Sequence, residues 1–236
     1  MKTKNYIIAT IKPWNIKRFK TIKSKFEGNW FLISNQKKLT YSLVKKINPR
    51  YIFFPHWSFK IKKKIFDNYE CVCFHETDLP YGRGGSPIQN LISRGYKTTF
   101  ISALKMNEKY DSGPIYFKRK LSLKGKAELI YENSSKKIFD MIQAIYKKEP
   151  SPSPQKGRVV NFKRRKEHQS KFPKNVKKLE DIYDHIRMLD ARTYPTSYLD
   201  HGNLRIYFKE AKNKKKYILT KAYIINNDKK IKKNIF

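Results

Sequence analysis

The chain has 236 residues, two cysteines, and 54 Lys plus Arg against 19 Asp plus Glu, a formal net charge of +35. That length can bury a full core and suggests one medium domain with a small appendage. The cysteine count excludes a disulfide-built scaffold, and no run approaches the roughly 20 apolar residues of a membrane span. Tyr6-Ile7-Ile8-Ala9 is too short for a signal peptide, so a cytoplasmic location without membrane contact is expected. Lysine outnumbers arginine about four to one and is scattered along the whole chain. A dedicated nucleic-acid reader more often clusters arginine on one element, and the same positive field suits a phosphorylated substrate or a polyanionic cosubstrate.

Residues 6–10 read as a first strand. Pro13 opens a helix with Ile16, Phe19, Ile22 and Phe26 at helical spacing, ended by Gly28. Residues 29–34 are nearly continuously apolar, as in a buried parallel strand. A helix over 40–47 stops before Asn48-Pro49. A third strand over 51–54 ends in Pro55-His56-Trp57-Ser58, and a short basic helix leads to a strand from Cys71 to His75. This alternation predicts an α/β fold, a Rossmann-like and mostly parallel sheet with helices on both faces. The turn after the first strand, Ile11-Lys12-Pro13-Trp14-Asn15, lacks G-x-G-x-x-G, which argues against dinucleotide binding of the usual kind, and no P-loop is present.

A strand over 99–106 and an Asp-Ser-Gly turn follow. A long amphipathic helix then carries Leu129, Ile130, Ile138, Met141, Ile142 and Ile145 on its apolar side. Pro150-Ser151-Pro152-Ser153-Pro154 is the clearest linker. It divides a domain over 1–149 from a linker and basic segment over 150–165 and a small C-terminal α+β region over 166–236. The last region holds a helix over 179–189 and two strands, 204–208 and 217–225, joined by a polar turn at Asn213-Lys214. No internal repeat is visible.

The organising stretch runs from Cys71 to Asn90. Period two places Cys71, Cys73 and His75 on one strand face. Two thiols side by side there cannot form an ordinary disulfide and read as free. As zinc ligands, three groups at strict period two suit a tetrahedron poorly, so no metal is expected. Three of the nine glycines, at 82, 84 and 85, then form a turn, with Ser86 as N-cap and Pro87 as first helical residue. A histidine at the end of a strand, beside such a turn, stands where open α/β sheets hold their ligands. As a lone histidine it could equally be a satisfied structural residue. Asp111 could be a simple turn aspartate. The Arg83-Gly84-Gly85 loop could be a tight turn.

The run His75…Leu79-Pro80…Arg83-Gly84…Pro87-Ile88-Gln89, followed by Asp111-Ser112-Gly113-Pro114-Ile115, resembles the signature of the formyltransferase family. That family includes methionyl-tRNA formyltransferase and the sugar-nucleotide N-formyltransferases. The resemblance implies formyl transfer from 10-formyltetrahydrofolate to an amine, with His75 as general base and Asp111 orienting it. It places the family's asparagine, whose amide holds the formyl carbonyl, at Cys73, and a thiol is a much weaker donor. Covalent catalysis by Cys73 is the less favoured use of that thiol.

On the same resemblance Phe54, His56, Trp57, Ser58, Arg83, Gly84, Gly85 and Tyr110 would bind the folate. Lys12, Trp14, Asn15, Thr77, Phe162 and Arg164 would bind the acceptor. The spelling of residues 74–87 looks closest to proteins of surface-polysaccharide or pseudaminic acid pathways. A UDP- or dTDP-linked 4-amino-4,6-dideoxy sugar is therefore the expected acceptor, in a homodimer. The alternatives are methionyl-tRNA as acceptor, or a non-catalytic basic RNA-binding protein on a degenerate formyltransferase scaffold.

Overall fold

The computed structural model describes residues 3–227; the end of the predicted C-terminal region lies outside the described residues. In chain order the elements begin β1 (Asn5–Ala9), α1 (Pro13–Ile22), β2 (Asn29–Ile33), α2 (Tyr41–Ile47), β3 (Tyr51–Phe54) and α3 (Lys63–Asn68). Next come β4 (Cys71–His75), β5 (Tyr81–Gly84), α4 (Pro87–Ile92), β6 (Thr98–Lys105), β7 (Ile115–Ser122) and α5 (Ala127–Lys148). The last are β8 (Val160–Phe162), α6 (Leu179–Leu189), β9 (Ser197–His201), β10 (Leu204–Asn213) and β11 (Ile218–Asn226).

The described chain divides into two compact units. The first holds residues up to Pro87, Thr99–Leu121 and Tyr131–Phe162; the second holds Ile88–Thr98, Ser122–Ile130 and residues from Lys163 onward. The predicted boundary near residue 150 is therefore not where the contacts divide. The proline-rich stretch is bound to the first unit: Ile115 and Ser153 exchange both backbone hydrogen bonds, at 2.7 and 2.8 Å. Residues 160–162, read as linker, form a strand of the same unit.

In the first unit a six-stranded sheet runs β2-β1-β3-β4-β6-β7. β1 is parallel to β2 and β3, β3 is parallel to β4, and β6 is antiparallel to β4. This is the mostly parallel α/β sheet that the alternation of elements predicts. Strands β1 and β3 are buried on both faces, with Ile7, Ile8, Ile52 and Phe53 fully enclosed, which their unbroken apolar runs explain. β2 is not buried on both faces. It is the sheet's edge strand and leaves Phe31 39 % exposed. The strand order reverses between β1 and β3, where open α/β sheets form a crevice.

Two more local readings change. Leu129 is 44 % exposed, while Ser134 and Ser135 take the inner face of α5 between Ile130 and Ile138. Ser86, read as an N-cap, stands at φ 52°, in the left-handed region rather than the extended conformation usual for a cap. Thr40 does cap α2, accepting a hydrogen bond from Leu43 N–H at 3.2 Å.

The second unit carries an antiparallel sheet in the order β11-β10-β9. It has three strands, not two: β9 is only five residues long with two charge-bearing positions, and its alternation is too weak to read. Helix α6 begins and ends as expected, and Arg187 within it is buried, donating to the carbonyls of Leu123 and Gly125. Phe172 stacks on Phe208 with ring centroids 4.8 Å apart. Among the described residues no helix is long and apolar enough to cross a membrane.

Gly113 shows how tightly the first unit closes around the Asp111 turn. An added Cβ there would stand 1.7 Å from the Lys105 carbonyl oxygen, whereas one at Gly95 would meet nothing within 4 Å. Urea unfolding is expected to show Gly113→Ala losing about 3 kcal/mol or more. Gly95→Ala, at φ 80°, should lose only about 1 to 2 kcal/mol from its backbone conformation.

Candidate active site

β4 delivers His75 at its last position, buried, with Ser102 of β6 as its register partner. Ser102 pins the exit from the strand: its hydroxyl donates to the Thr77 carbonyl at 2.8 Å and accepts from Leu79 N–H at 3.4 Å. His75 Nε2 lies 2.7 Å from the Gly82 carbonyl oxygen. A carbonyl only accepts, so Nε2 carries a proton and donates it there. The other nitrogen, Nδ1, faces Asp111 Oδ1 at 3.6 Å. That is a charge contact rather than a hydrogen bond. Nδ1 is thus the basic nitrogen of His75, and any proton it takes is held beside a carboxylate.

Asp111 stands at φ 52°, a conformation aspartate tolerates better than most residues. Its Oδ2 accepts from Gly84 N–H at 2.9 Å. The predicted glycine loop is in part a strand: β5 pairs in parallel with β8, with Gly84 opposite Phe162. A Cβ at Gly84 would stand 2.5 Å from the Phe162 carbonyl oxygen, so glycine alone allows this approach. Gly85 N–H donates to that same carbonyl.

Cys73 is partly buried two residues before His75. Burial, and then the negative charge of Asp111, push its thiol well above the usual range. Cys71 is raised chiefly by burial as well. Both are neutral thiols at physiological pH, poor nucleophiles and weak hydrogen-bond donors. Among the described residues no group of three or more His, Cys, Asp or Glu side chains could hold a metal ion.

A second polar cluster forms around Glu76, just after β4. Glu76, the residue directly after β4, makes a short contact through Oε1 with His56 Nε2 and accepts from Ser134 Oγ at 3.1 Å. His56 Nδ1 accepts the Trp14 indole N–H at 3.0 Å and faces Asn15 Nδ2 at 2.9 Å. An indole N–H can only donate, so the His56 proton sits on Nε2 and points at Glu76. Burial alone would raise the Glu76 carboxyl. His56, His75 and the Ser134 hydroxyl outweigh it and hold the carboxyl below its usual range.

Several residues assigned to ligands from the sequence are engaged within the protein. Asn15 is fully buried, and its amide nitrogen is used by Thr10 Oγ1 and the Pro55 carbonyl, leaving Oδ1 without a partner. Trp14 is 5 % exposed and stacked on Tyr131, with centroids 5.0 Å apart and planes 5° apart. Neither offers an open face to a sugar or phosphate. His56 is engaged by Glu76 rather than held out for a ligand. Phe54 belongs to the core with Ile7, Ile52 and Ile65, and Trp57 packs against it. Thr77 is buried on the Gly82 carbonyl, and Phe162 is the floor under Gly82 and Gly84. Lys12 is half-buried, Ser58 is exposed, and Tyr110 is 73 % exposed directly before Asp111. Arg164 falls in the second unit.

Glu76, Ser102, Ser134 and Gln155 were not read as site residues. Glu76 and Ser134 had a signal in retrospect: a carboxylate after the histidine, and a hydroxyl pair interrupting an apolar helix face. The whole defines a class of site: an imidazole at the end of a parallel strand, faced by a carboxylate and fixed by a glycine turn.

Comparisons with known proteins agree with that class. Residues 167–225 match the family model described as methionyl-tRNA formyltransferase, C-terminal domain. A solved structure of methionyl-tRNA formyltransferase from Clostridium thermocellum is 48 % identical, with a TM-score of 0.92, over 94 % of this chain and 99 % of that one. The methionyl-tRNA formyltransferase of Wigglesworthia glossinidia brevipalpis is 35 % identical over 104 residues, 37 % of this chain and 33 % of that protein. The matches to the curated relatives thus span about a third of those relatives' length. A 4-N formyltransferase from Francisella tularensis shares the fold at 15 % identity, with a TM-score of 0.69 over 84 % of this chain and 93 % of that one. The chain belongs to the formyltransferase family.

The buried Glu76 has a pH signature. Its folded-state carboxyl lies below the unfolded value of about 4.3, so its stabilisation is fully present above that value and is lost as pH falls through the folded one. Glu76→Ala is expected to cost about 3 to 5 kcal/mol at pH 7, because the His56 N–H is left buried without its partner. In urea titrations repeated at decreasing pH, the gap to wild type should narrow only below the ordinary carboxylate range.

Proposed function

We propose that the chain transfers a formyl group from 10-formyltetrahydrofolate to the amine of methionyl-tRNA. The observation that carries the chemistry is the division of labour on His75: Nε2 is spent on the Gly82 carbonyl, and Nδ1 is left basic beside Asp111. The acceptor is supported by 48 % identity over almost the whole chain to a methionyl-tRNA formyltransferase, and by the matched C-terminal domain. A net charge of +35 also suits a polyanionic RNA acceptor. The nucleotide-linked amino sugar expected from the motif spelling becomes the second reading, supported by the sequence of residues 74–87.

The bound cosubstrate supplies an activated formyl group. His75 Nδ1 takes the proton that the attacking amine loses and holds it until it is returned to the leaving nitrogen. Asp111 stabilises the imidazolium in that interval, much as the carboxylate of a catalytic triad does. The residues present fit a formyl donor in this respect. They fit it less well at Cys73, where a neutral thiol replaces an amide donor. Loss of one such donor is typically worth on the order of a hundredfold or more in rate. The exposed Tyr110 and half-buried Arg83 beside Asp111 are the candidate cosubstrate contacts.

Incubation with 10-formyltetrahydrofolate and charged initiator tRNA, read by mass spectrometry of the released amino acid, is expected to give formylmethionine. His75→Ala should abolish the product without unfolding the protein, and Cys73→Asn should raise kcat about tenfold or more. Unmodified tRNA together with formylated UDP- or dTDP-linked 4-amino sugar would establish the second reading instead.

A further inference from the structure

Gln155 comes from the proline-rich stretch that composition marks as a linker, yet every hydrogen-bonding position of its amide is used. Nε2 donates to the Asp111 carbonyl and to the Gly113 carbonyl, both at 2.8 Å. Oε1 accepts from Arg83 Nη2 at 2.7 Å and Nε at 3.1 Å. Two donors and two lone pairs are the full capacity of a glutamine amide. The backbone around it is pinned on both sides, by the Ser153–Ile115 exchange and by Val160 N–H on the Pro80 carbonyl at 3.2 Å.

The two partners of this amide are the two sides of the catalytic arrangement. Asp111 and Gly113 belong to the turn that carries the carboxylate, and Arg83 precedes Gly84 on β5. The Asp111 Oδ2 bond from Gly84 N–H crosses between these sides. Gln155 ties both ends of that bond together, and with it the placement of Oδ1 against His75 Nδ1. Asp111 stands at φ 52°, so its turn needs outside support of this kind.

We propose that Gln155 is a positioning residue: its side-chain amide clamps the Asp111 turn to β5 and thereby aims the Asp111 carboxylate at His75. The proposal rests on His75 and Asp111 being the reacting pair, so one arm of its test does not depend on turnover. In that arm, hydrogen exchange of the Gly84 amide is followed by NMR in the full chain. Gln155→Ala should speed it at least about tenfold while the amides of β1 and β3 keep their protection. Gln155→Glu, which keeps the acceptors for Arg83 but loses both donors, should speed it as much. It also serves as the second variant should the alanine protein fold poorly.

In the activity arm, Gln155→Ala should lower kcat at least about tenfold with KM for the amine within about threefold, and should cost nothing further in an Asp111→Asn background. A merely structural residue would cost the same in both backgrounds. Unchanged Gly84 exchange in both variants overturns the proposal whether or not the protein transfers formyl groups. An equal cost of Gln155→Ala with and without Asp111 overturns it as well.

Discussion

The hydrogen bond from His75 Nε2 to the Gly82 carbonyl decides what the rest of the site can do. It fixes the imidazole tautomer, and so decides which nitrogen is basic and which groups that nitrogen meets. The carbonyl can stand there only because the chain turns back at Gly82, with φ 81° and no room for a side chain between Phe162 and Thr77. That turn is held by pairing of β5 with β8, and β8 arrives there only because the proline-rich stretch is bound along the first unit. The imidazole tautomer thus depends on a strand pair whose partners are some eighty positions apart in sequence.

Two carboxylates flank His75 and have separate duties. Asp111, partly exposed, meets the imidazole only through the 3.6 Å contact with Nδ1 and is free to respond to its protonation. Glu76 is enclosed, bound to His56 and Ser134, and kept ionised by them. Its charge is committed to His56, which in turn meets Trp14 and Asn15, with Trp14 stacked on Tyr131. Cys73, near Asp111, is a neutral thiol, so the electrostatic work of the site falls on the imidazole and its neighbours.

Periodicity carried most of the parallel sheet, because β1, β3 and β4 are unbroken apolar runs between helices with clear stops at Gly28 and Asn48-Pro49. It also placed a histidine at a strand end, and two motifs brought that histidine and Asp111 into one view. What stayed hidden was non-local. β5 and β8 are four and three residues long and have no alternation to detect. The clamp by Gln155 lies beyond five residues whose composition reads as linker, and two of its partners are backbone carbonyls, which leave no trace in sequence. Aromatic and polar residues of the first crevice, Trp14, Asn15, His56 and Trp57, looked available to a ligand. Trp14 and Asn15 instead meet His56 Nδ1, and Trp57 packs on Phe54 with its indole N–H unpartnered, a distinction that only packing reveals. The acceptor is less legible than the chemistry: the spelling of residues 74–87 points to an amino sugar, whereas similarity along the full chain favours a tRNA.

The most direct test of this account is nitrogen-15 NMR of the His75 imidazole at a pH where the ring is neutral. The account predicts a protonated, pyrrole-like Nε2 and an unprotonated, pyridine-like Nδ1, with the Nε2 proton protected from exchange by the Gly82 carbonyl. A proton on Nδ1 instead, with Nε2 unprotonated, would contradict it, because the basic nitrogen would then point at a carbonyl oxygen and away from Asp111.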